Sequence, residues 1–301
     1  MSPRLLVLGA TGRIGSLVVE ALAATPPWKP SDIGGLVRDT ERATPMWPSG
    51  VTAVVGEFSD PPSITAAMKG VEVVFISSPV HPEMCAWQCG AVQAAAAAGV
   101  RRIVKLSGSA WTMENGRTTT VGAAHAQVEA RMRSLQKAGG PECICIRPNA
   151  FLQGMLGRMG QELESSDTFS LAIGDAQVAL ADIRDIAAMC AYAMCAATVP
   201  PTVEVTGPEA VDGLKIGSLL EQMLARPIHY NPTEIDDAVG RARASGMNEF
   251  TVRHQKEVLT LLREGAGSRI RSDFQNLLGQ SPRTVRDFLA EVSAKLGGVA
   301  V

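Results

Sequence analysis

Gly9-Ala10-Thr11-Gly12-Arg13-Ile14-Gly15 stands between an apolar run, Leu5-Leu6-Val7-Leu8, and a helical pattern, Leu17-Val18-Val19-Glu20-Ala21-Leu22. The run is short and bounded by a glycine, so it reads as a buried strand. Strand, glycine-rich turn and helix in that order suit a dinucleotide pyrophosphate. Glycines let the backbone turn tightly and approach the phosphates, and the free N–H groups of the helix start point at the anion. A plain strand-to-helix turn would also accept three glycines. The position at the first strand favours the cofactor reading, with Gly9, Thr11, Gly12, Arg13, Ile14 and Gly15 in contact with it.

Outward from this loop, apolar runs recur at Ile33–Val37, Val51–Val55, Val71–Ile76, Ile103–Leu106 and Cys143–Ile146, with helical patterns between them. That alternation predicts an α/β fold, a doubly wound parallel sheet of the Rossmann type with helices on both faces. Each run ends in small, polar or charged residues: Arg38-Asp39, Gly56-Glu57-Phe58, Ser77-Ser78-Pro79, Ser107-Gly108-Ser109 and Arg147-Pro148-Asn149. Ligands of such sheets lie at the carboxyl ends of the strands, so the search for function belongs there.

Beyond Asn149 helical patterns dominate, at Phe151–Glu164, Arg184–Ala196, Leu214–Leu224 and Asn248–Glu264, with strand-like pieces at Val178–Leu180 and Val203–Val205. The expected organisation is a Rossmann domain over residues 1–152, joined by about 177–206, and a smaller, mostly helical substrate-covering lobe over 153–176 and 207–301.

Composition limits the partners. The chain has 301 residues, 46% hydrophobic and 19% charged, with a net charge of −2. It has ample material for a large core and no basic footprint for nucleic acid. The apolar helix around Ala91 to Val100 is too short to span a bilayer, and the first apolar run leads straight into the glycine loop rather than a cleavage site. A cytoplasmic location is expected, with no membrane partner and homo-oligomerisation left open. The six cysteines form no C-x-x-C pair and the four histidines no H-E-x-x-H, so no metal site is expected and reduced core thiols are the simpler reading.

With the strand ends in view, the chain resembles the NmrA-like branch of the atypical short-chain dehydrogenases over nearly its whole length. The GxxGxxG spacing of the opening loop is the variant found in those enzymes. Further matching pieces are Leu36-Val37-Arg38-Asp39, Lys105-Leu106-Ser107-Gly108, His125-Ala126-Gln127-Val128-Glu129, Ile146-Arg147-Pro148-Asn149-Ala150-Phe151, Ala181–Ala187, Val205–Glu209 and Ser281–Phe288. The resemblance implies NADP(H) binding and a small-molecule substrate. Family members reduce quinones and other small carbonyl or conjugated substrates, or act as redox-sensing regulators that bind a dinucleotide and a protein partner without turnover. By the same resemblance Phe58 borders the adenine, Ser77, Ser78 and Pro79 line the path to the nicotinamide, and Pro148, Asn149 and Phe151 lie beside it.

The second strand ends in Arg38, where an NAD site usually carries an acid for the ribose 2′-hydroxyl. A guanidinium there suits a 2′-phosphate, and Arg13 offers a second cation. The cofactor expected is therefore NADP(H). Asp39 is the counter-indication, since it could serve a ribose hydroxyl or pair with Arg38; Arg38 and Arg42 could also be solvated loop charges.

The catalytic expectation is less direct. Typical short-chain dehydrogenases use Tyr-x-x-x-Lys, the lysine lowering the phenol pKa. Tyr192 is followed four residues on by Ala196, and Tyr230 by Glu234, so neither makes the pair. Where that motif would begin its helix stand His125 and, four residues on, Glu129. His125 could donate a proton to a reduced acceptor with Glu129 orienting it, or the two could form a structural helix contact. Ser107 and Asn149 are the candidates for polarising the acceptor, against roles as a strand-terminating serine and a turn residue. Lys105 shares Ser107's face by alternation and is assigned no chemistry. Trp87, Trp111, Met113, Met155 and Met159 could line an apolar pocket or fill core.

The leading expectation is an NADP(H)-dependent oxidoreductase that passes hydride to a small hydrophobic carbonyl, quinone, enone or imine. The alternatives are a non-catalytic NAD(P)-binding sensor and an isomerase or lyase on the same fold.

Overall fold

The structure, a computed structural model, describes residues 2–40, 47–113 and 118–297. Arg42 lies outside the described residues. Two compact units form, one of Met1–Gly108, Gly122–Arg147 and Arg184–Val203, the other of Ser109–Val121, Pro148–Ile183 and Glu204–Val301. Against the expected boundaries, 109–121 groups with the second unit.

The first unit is built on parallel strands. β1 (Leu5–Leu8) leads into α1 (Arg13–Ala23), then β2 (Ile33–Val37) and β3 (Thr52–Val55). α2 (Pro61–Ala67), β4 (Val73–Ile76), α3 (Met84–Ala97) and β5 (Arg102–Leu106) follow, then α4 (Thr120–Lys137) and β6 (Glu142–Pro148). With β8 below, they make a seven-stranded sheet in the order β3-β2-β1-β4-β5-β6-β8. The order reverses direction between β1 and β4, the switch point at which doubly wound sheets bind ligands. The fold expectation is met.

Burial explains why these runs are strands. Leu5 to Leu8 and Val73 to Ile76 are wholly shielded, as continuous apolar runs must be when helices cover both faces of a parallel sheet. β3, at the sheet edge, is only partly covered, and Val55 is exposed. One core of this unit gathers Leu6, Leu8, Ile64, Met68, Val92, Ile103, Val128 and Met132 between sheet and helices. At about 1.5–3 kcal/mol per buried aliphatic side chain, this packing is the main stabilising contribution. All six cysteines are free thiols.

The second unit contains α5 (Leu152–Leu156), α6 (Met159–Ser165) and β7 (Thr168–Leu171). α7 (Ile183–Cys195) returns to the first unit. β8 (Thr202–Val205), α8 (Gly213–Leu224), β9 (His229–Pro232), α9 (Ile235–Ala244), α10 (Glu249–Arg263), α11 (Asp273–Leu278) and α12 (Val285–Lys295) complete the chain. β7 and β9 form a small parallel sheet that the sequence pattern did not indicate. The expected helix over Phe151–Glu164 is broken into α5 and α6 around Gly157 and Arg158. Val178–Leu180 is not a strand either. The Val178 N–H bonds Val211 O in an isolated bridge and the Ala179 N–H bonds Gly267 O, so the apolar run is buried by loops. Met159 is 2% exposed and belongs to this unit's core, the core-filling alternative of the two left open for it. No helix among the described residues is long and apolar enough to cross a membrane.

Candidate active site at the carboxyl ends of the strands

The glycine loop has the shape a pyrophosphate needs. Gly9 has φ of +81°, which an L side chain rarely adopts, and a Cβ there would lie 2.2 Å from Ser77 O. A Cβ on Gly15 would lie 2.1 Å from Gly9 O, so both backbones approach closer than any side chain permits. The Gly12 N–H donates to Gly9 O at 2.9 Å and closes the turn. α1 then begins with Gly12 as its cap, with no side-chain cap bond and no acidic residue in its first turn. Its leading N–H groups and the positive end of its dipole are available to an anion. Thr11, Gly12 and Arg13 are exposed and Ile14 and Gly15 are buried, so the loop presents backbone outward and packs its last turn inward.

Pairing of neighbouring strands delivers the remaining cofactor candidates to the same end of the sheet. Val7 sits opposite Gly35, Val37 opposite Val55, and Leu8 opposite Ile76. Arg38 and Ser77 directly follow β2 and β4, and Phe58 stands three residues beyond β3. Arg38 is exposed, as Arg13 is, and no ion pair among the described residues holds either. Phe58 stacks on Trp87 at 6.4 Å between ring centroids, and Trp87 stacks on His81 at 4.2 Å. Ser78 accepts a hydrogen bond from Gln88 Nε2 at 2.7 Å, and Pro79 is exposed. Trp47, which the motifs did not single out, packs where a Gly35 side chain would stand and donates from Nε1 to Ala10 O. The residues present fit a dinucleotide.

Two side-chain pairs join β5 to α4. Alternation puts Lys105 and Ser107 on one side of the strand, and a four-residue spacing puts His125 and Glu129 on one side of the helix. Lys105 Nζ lies 2.7 Å from His125 Nδ1 and donates to Leu106 O at 3.0 Å. Ser107 Oγ donates to Glu129 Oε1 at 2.6 Å. Arg147, at the end of β6, closes on the same carboxylate with Nε to Oε1 at 3.0 Å and Nη2 to Oε2 at 2.6 Å; Arg133 adds Nη1 to Oε2 at 3.2 Å.

The electrostatics follow from burial. Lys105 is fully buried, which pushes its pKa down to about 8, with the Glu129 carboxylate pulling it part of the way back. Burial alone would raise the Glu129 carboxyl, but hydrogen bonds from Arg147 and Ser107 and the charges of Arg147 and Lys105 outweigh it and hold it below the usual carboxylate range.

These contacts bear on the roles weighed for Glu129, Ser107 and Lys105. The groups engaging Glu129 are Ser107, Arg147 and Arg133, while Lys105 meets His125 at Nδ1, so Glu129 is chiefly the counter-ion of Arg147 rather than the orienter of His125. The Ser107 proton is committed to that carboxylate, so its hydroxyl is arranged to accept a hydrogen bond rather than to polarise a substrate oxygen. Lys105, left without a role, is a hydrogen-bond partner of the candidate acid. Arg147, quoted as a strand-end residue without a role, completes the network. The alternation of the β5 run was the one signal that pointed to Lys105.

Asn149 is occupied otherwise. In the second unit its Oδ1 accepts from Trp111 Nε1 at 2.8 Å and from the Ala150 N–H at 2.9 Å. Its Nδ2 donates to Ala179 O and Gly267 O at 2.9 and 2.8 Å. An amide has two donors and room for two acceptor bonds, so these four bonds engage the Asn149 side chain fully and tie loops together. Pro148 is buried beside it, and Phe151 bridges Ala181 and precedes α5.

The class of protein that this sheet and loop define is a Rossmann-type α/β protein with a dinucleotide-type glycine turn. A family model described as the NmrA-like family matches residues 1–237, and the chain belongs to that family. It is 26% identical over 298 residues to the NAD(P)H azoreductase of Xenophilus azovorans, covering 97% of this chain and 99% of the relative. It is 29% identical over 296 residues to the (4-alkanoyl-5-oxo-2,5-dihydrofuran-3-yl)methyl phosphate reductase of Streptomyces griseus, covering 95% and 97%. Among solved structures, the NADPH-dependent quinone oxidoreductase of Escherichia coli complexed with NADPH superposes with a TM-score of 0.81 at 20% identity, covering 96% of this chain and 99% of that one.

Proposed function

We propose that the chain is an NADP(H)-dependent oxidoreductase that transfers hydride to a small hydrophobic carbonyl, quinone, enone or imine. The observation that carries the cofactor half is the glycine loop: Gly9 and Gly15 leave no room for a side chain, and the uncapped start of α1 follows them. Arg13 and Arg38, exposed after neighbouring strands, fit a 2′-phosphate. When bound, the reduced nicotinamide would supply a hydride. What this chain supplies is binding through the loop, and a proton from His125, half-buried on α4 against Lys105. The named activities of the azoreductase and the dihydrofuranyl phosphate reductase, relatives matched over nearly their full length, support reductive chemistry on unsaturated acceptors.

A sensor that binds dinucleotide without turnover is the second reading. It is favoured by the missing Tyr-x-x-x-Lys and by the internal commitments of the Ser107 and Asn149 side chains. Affinities for NADPH, NADP+, NADH and NAD+, followed by NADPH oxidation against quinones, enones, aldehydes and imines, separate the two. Turnover on at least one acceptor class is expected. Tight binding indifferent to redox state, with no turnover on any acceptor, replaces the enzyme with the sensor.

A further inference from the structure

Lys105 is a fully buried cation of the candidate site, and its ammonium lies against an imidazole rather than a carboxylate. A lysine ammonium has three donors and no acceptor, so at 2.7 Å it requires an unprotonated Nδ1 on its partner. The single proton of a neutral His125 then belongs on Nε2. Protonating Nδ1 as well would set two cations against each other away from water.

We propose that Lys105 is a positioning residue, whose ammonium holds His125 neutral in its Nε2–H form. The inference deepens the reductase reading above and rests on it only for the use made of the imidazole.

The groups around the lysine support this. Facing it are Cys145 from β6, Glu129 from α4, and Cys85 and Cys89 from α3. Burial pushes the Cys89 and Cys145 thiols up to about 11 and about 12, so neither supplies a counter-charge near neutral pH. Glu129 is charged, but both its oxygens are already bonded to Arg147. A second positive charge on His125 would therefore meet a carboxylate whose compensation is already spent. In turnover the consequence is a balanced relay: as the Nε2 proton passes to the acceptor oxygen, a Lys105 proton passes to Nδ1, and the pair resets when Nε2 takes a proton from water and the Nδ1 proton returns to the Lys105 amine.

The test reads the imidazole of the cofactor-free chain. Histidines are labelled with 15N, and ring correlations are followed from about pH 5 to about pH 9 in the parent, K105M and K105Q, with H125N assigning the resonance. Met removes a buried charge at similar length and is expected to fold, which a thermal melt confirms. In the parent, His125 is expected to show the Nε2–H tautomer and to resist protonation. In K105M its titration midpoint rises by about one pH unit or more, tenfold in proton affinity, and both tautomers appear. In K105Q the amide still donates to Nδ1, so the tautomer is kept while the midpoint rises. An Nδ1–H tautomer in the parent, or the same midpoint and tautomer in parent and folded K105M, overturns the proposal. Because no cofactor is involved, a blank acceptor panel with the expected spectra removes the reductase reading alone. Turnover with an unmoved imidazole removes only the role of Lys105.

Discussion

At the scale of single residues, the site is organised by two buried charges of opposite sign. Glu129 is 1% exposed and survives as a carboxylate because Arg147 meets both its oxygens and Ser107 donates to one of them. Removing one member of a buried pair leaves the other uncompensated. Glu129→Gln is therefore expected to lower the unfolding free energy by about 3 kcal/mol, read from urea denaturation near neutral pH. The pH dependence follows from the direction of its shift. A carboxyl held lower in the folded chain than in the unfolded one stabilises fully above the unfolded pKa of about 4.3, and that contribution disappears as pH falls through the folded value. The acid limb of a stability profile is expected to flatten in the Gln variant; an unchanged limb excludes this carboxyl as its source. His125→Ala is expected to cut turnover at least about tenfold with little change in NADPH affinity, as a general acid requires. An unchanged rate reduces His125 to a helix contact. Lys105 and Glu129 also mark the limit of sequence reading here. Spacing placed His125 and Glu129 on one helix face, but which strand residue each one meets depends on how α4 lies on β5, and no local pattern encodes that.

At the scale of elements, the turn from β1 into α1 carries the most constraint per residue. A Cβ on Gly15 would fall 2.1 Å from the Gly9 carbonyl, and both atoms belong to backbone, so neither can swing aside. Gly15→Ala is expected to displace the loop and weaken NADPH binding by more than about tenfold, measured by titration calorimetry, with a lower melting temperature. Retained affinity shows that the loop does not cradle the phosphates. Three helices of the second unit begin at side-chain caps: Asp212, Asn248 and Thr284 accept from backbone N–H groups at the starts of α8, α10 and α12. α1 lacks such a cap, as befits a helix whose leading N–H groups are kept for an anion. The strands and long helices were legible because burial on one or two faces leaves a periodic trace. The β7–β9 pair was not, because its partners are more than fifty residues apart and β9, with His229, Asn231 and Pro232 exposed, lacks an apolar run.

At the scale of the whole molecule, ligand binding and stability are linked. NADPH at about a hundred times its Kd adds roughly 2.7 kcal/mol to the folded state. The melting temperature should rise more with NADPH than with equimolar NADH if a 2′-phosphate is recognised. Arg38→Ala is expected to remove most of that difference, weakening NADPH about tenfold or more while sparing NADH. Equal losses for the two nucleotides remove the 2′-phosphate assignment. The interleaving of the units, with 184–203 returning to the first and 109–121 joining the second, was legible only for the returning segment. The sequence of 109–121 carries no apolar periodicity, so only the folded chain shows which unit it joins.

By itself the sequence determined the doubly wound sheet, the glycine turn at its first strand and the set of strand-end residues, because each is written in local periodicity and in glycine's freedom to turn. Tertiary structure alone decided which side chains meet. It set Lys105 against His125, gave Glu129 to Arg147 and Ser107, and spent the amide of Asn149 on a loop junction. Those pairings bring together residues from different elements under burial that makes an unmatched charge or amide costly, and a single chain order carries no record of that cost.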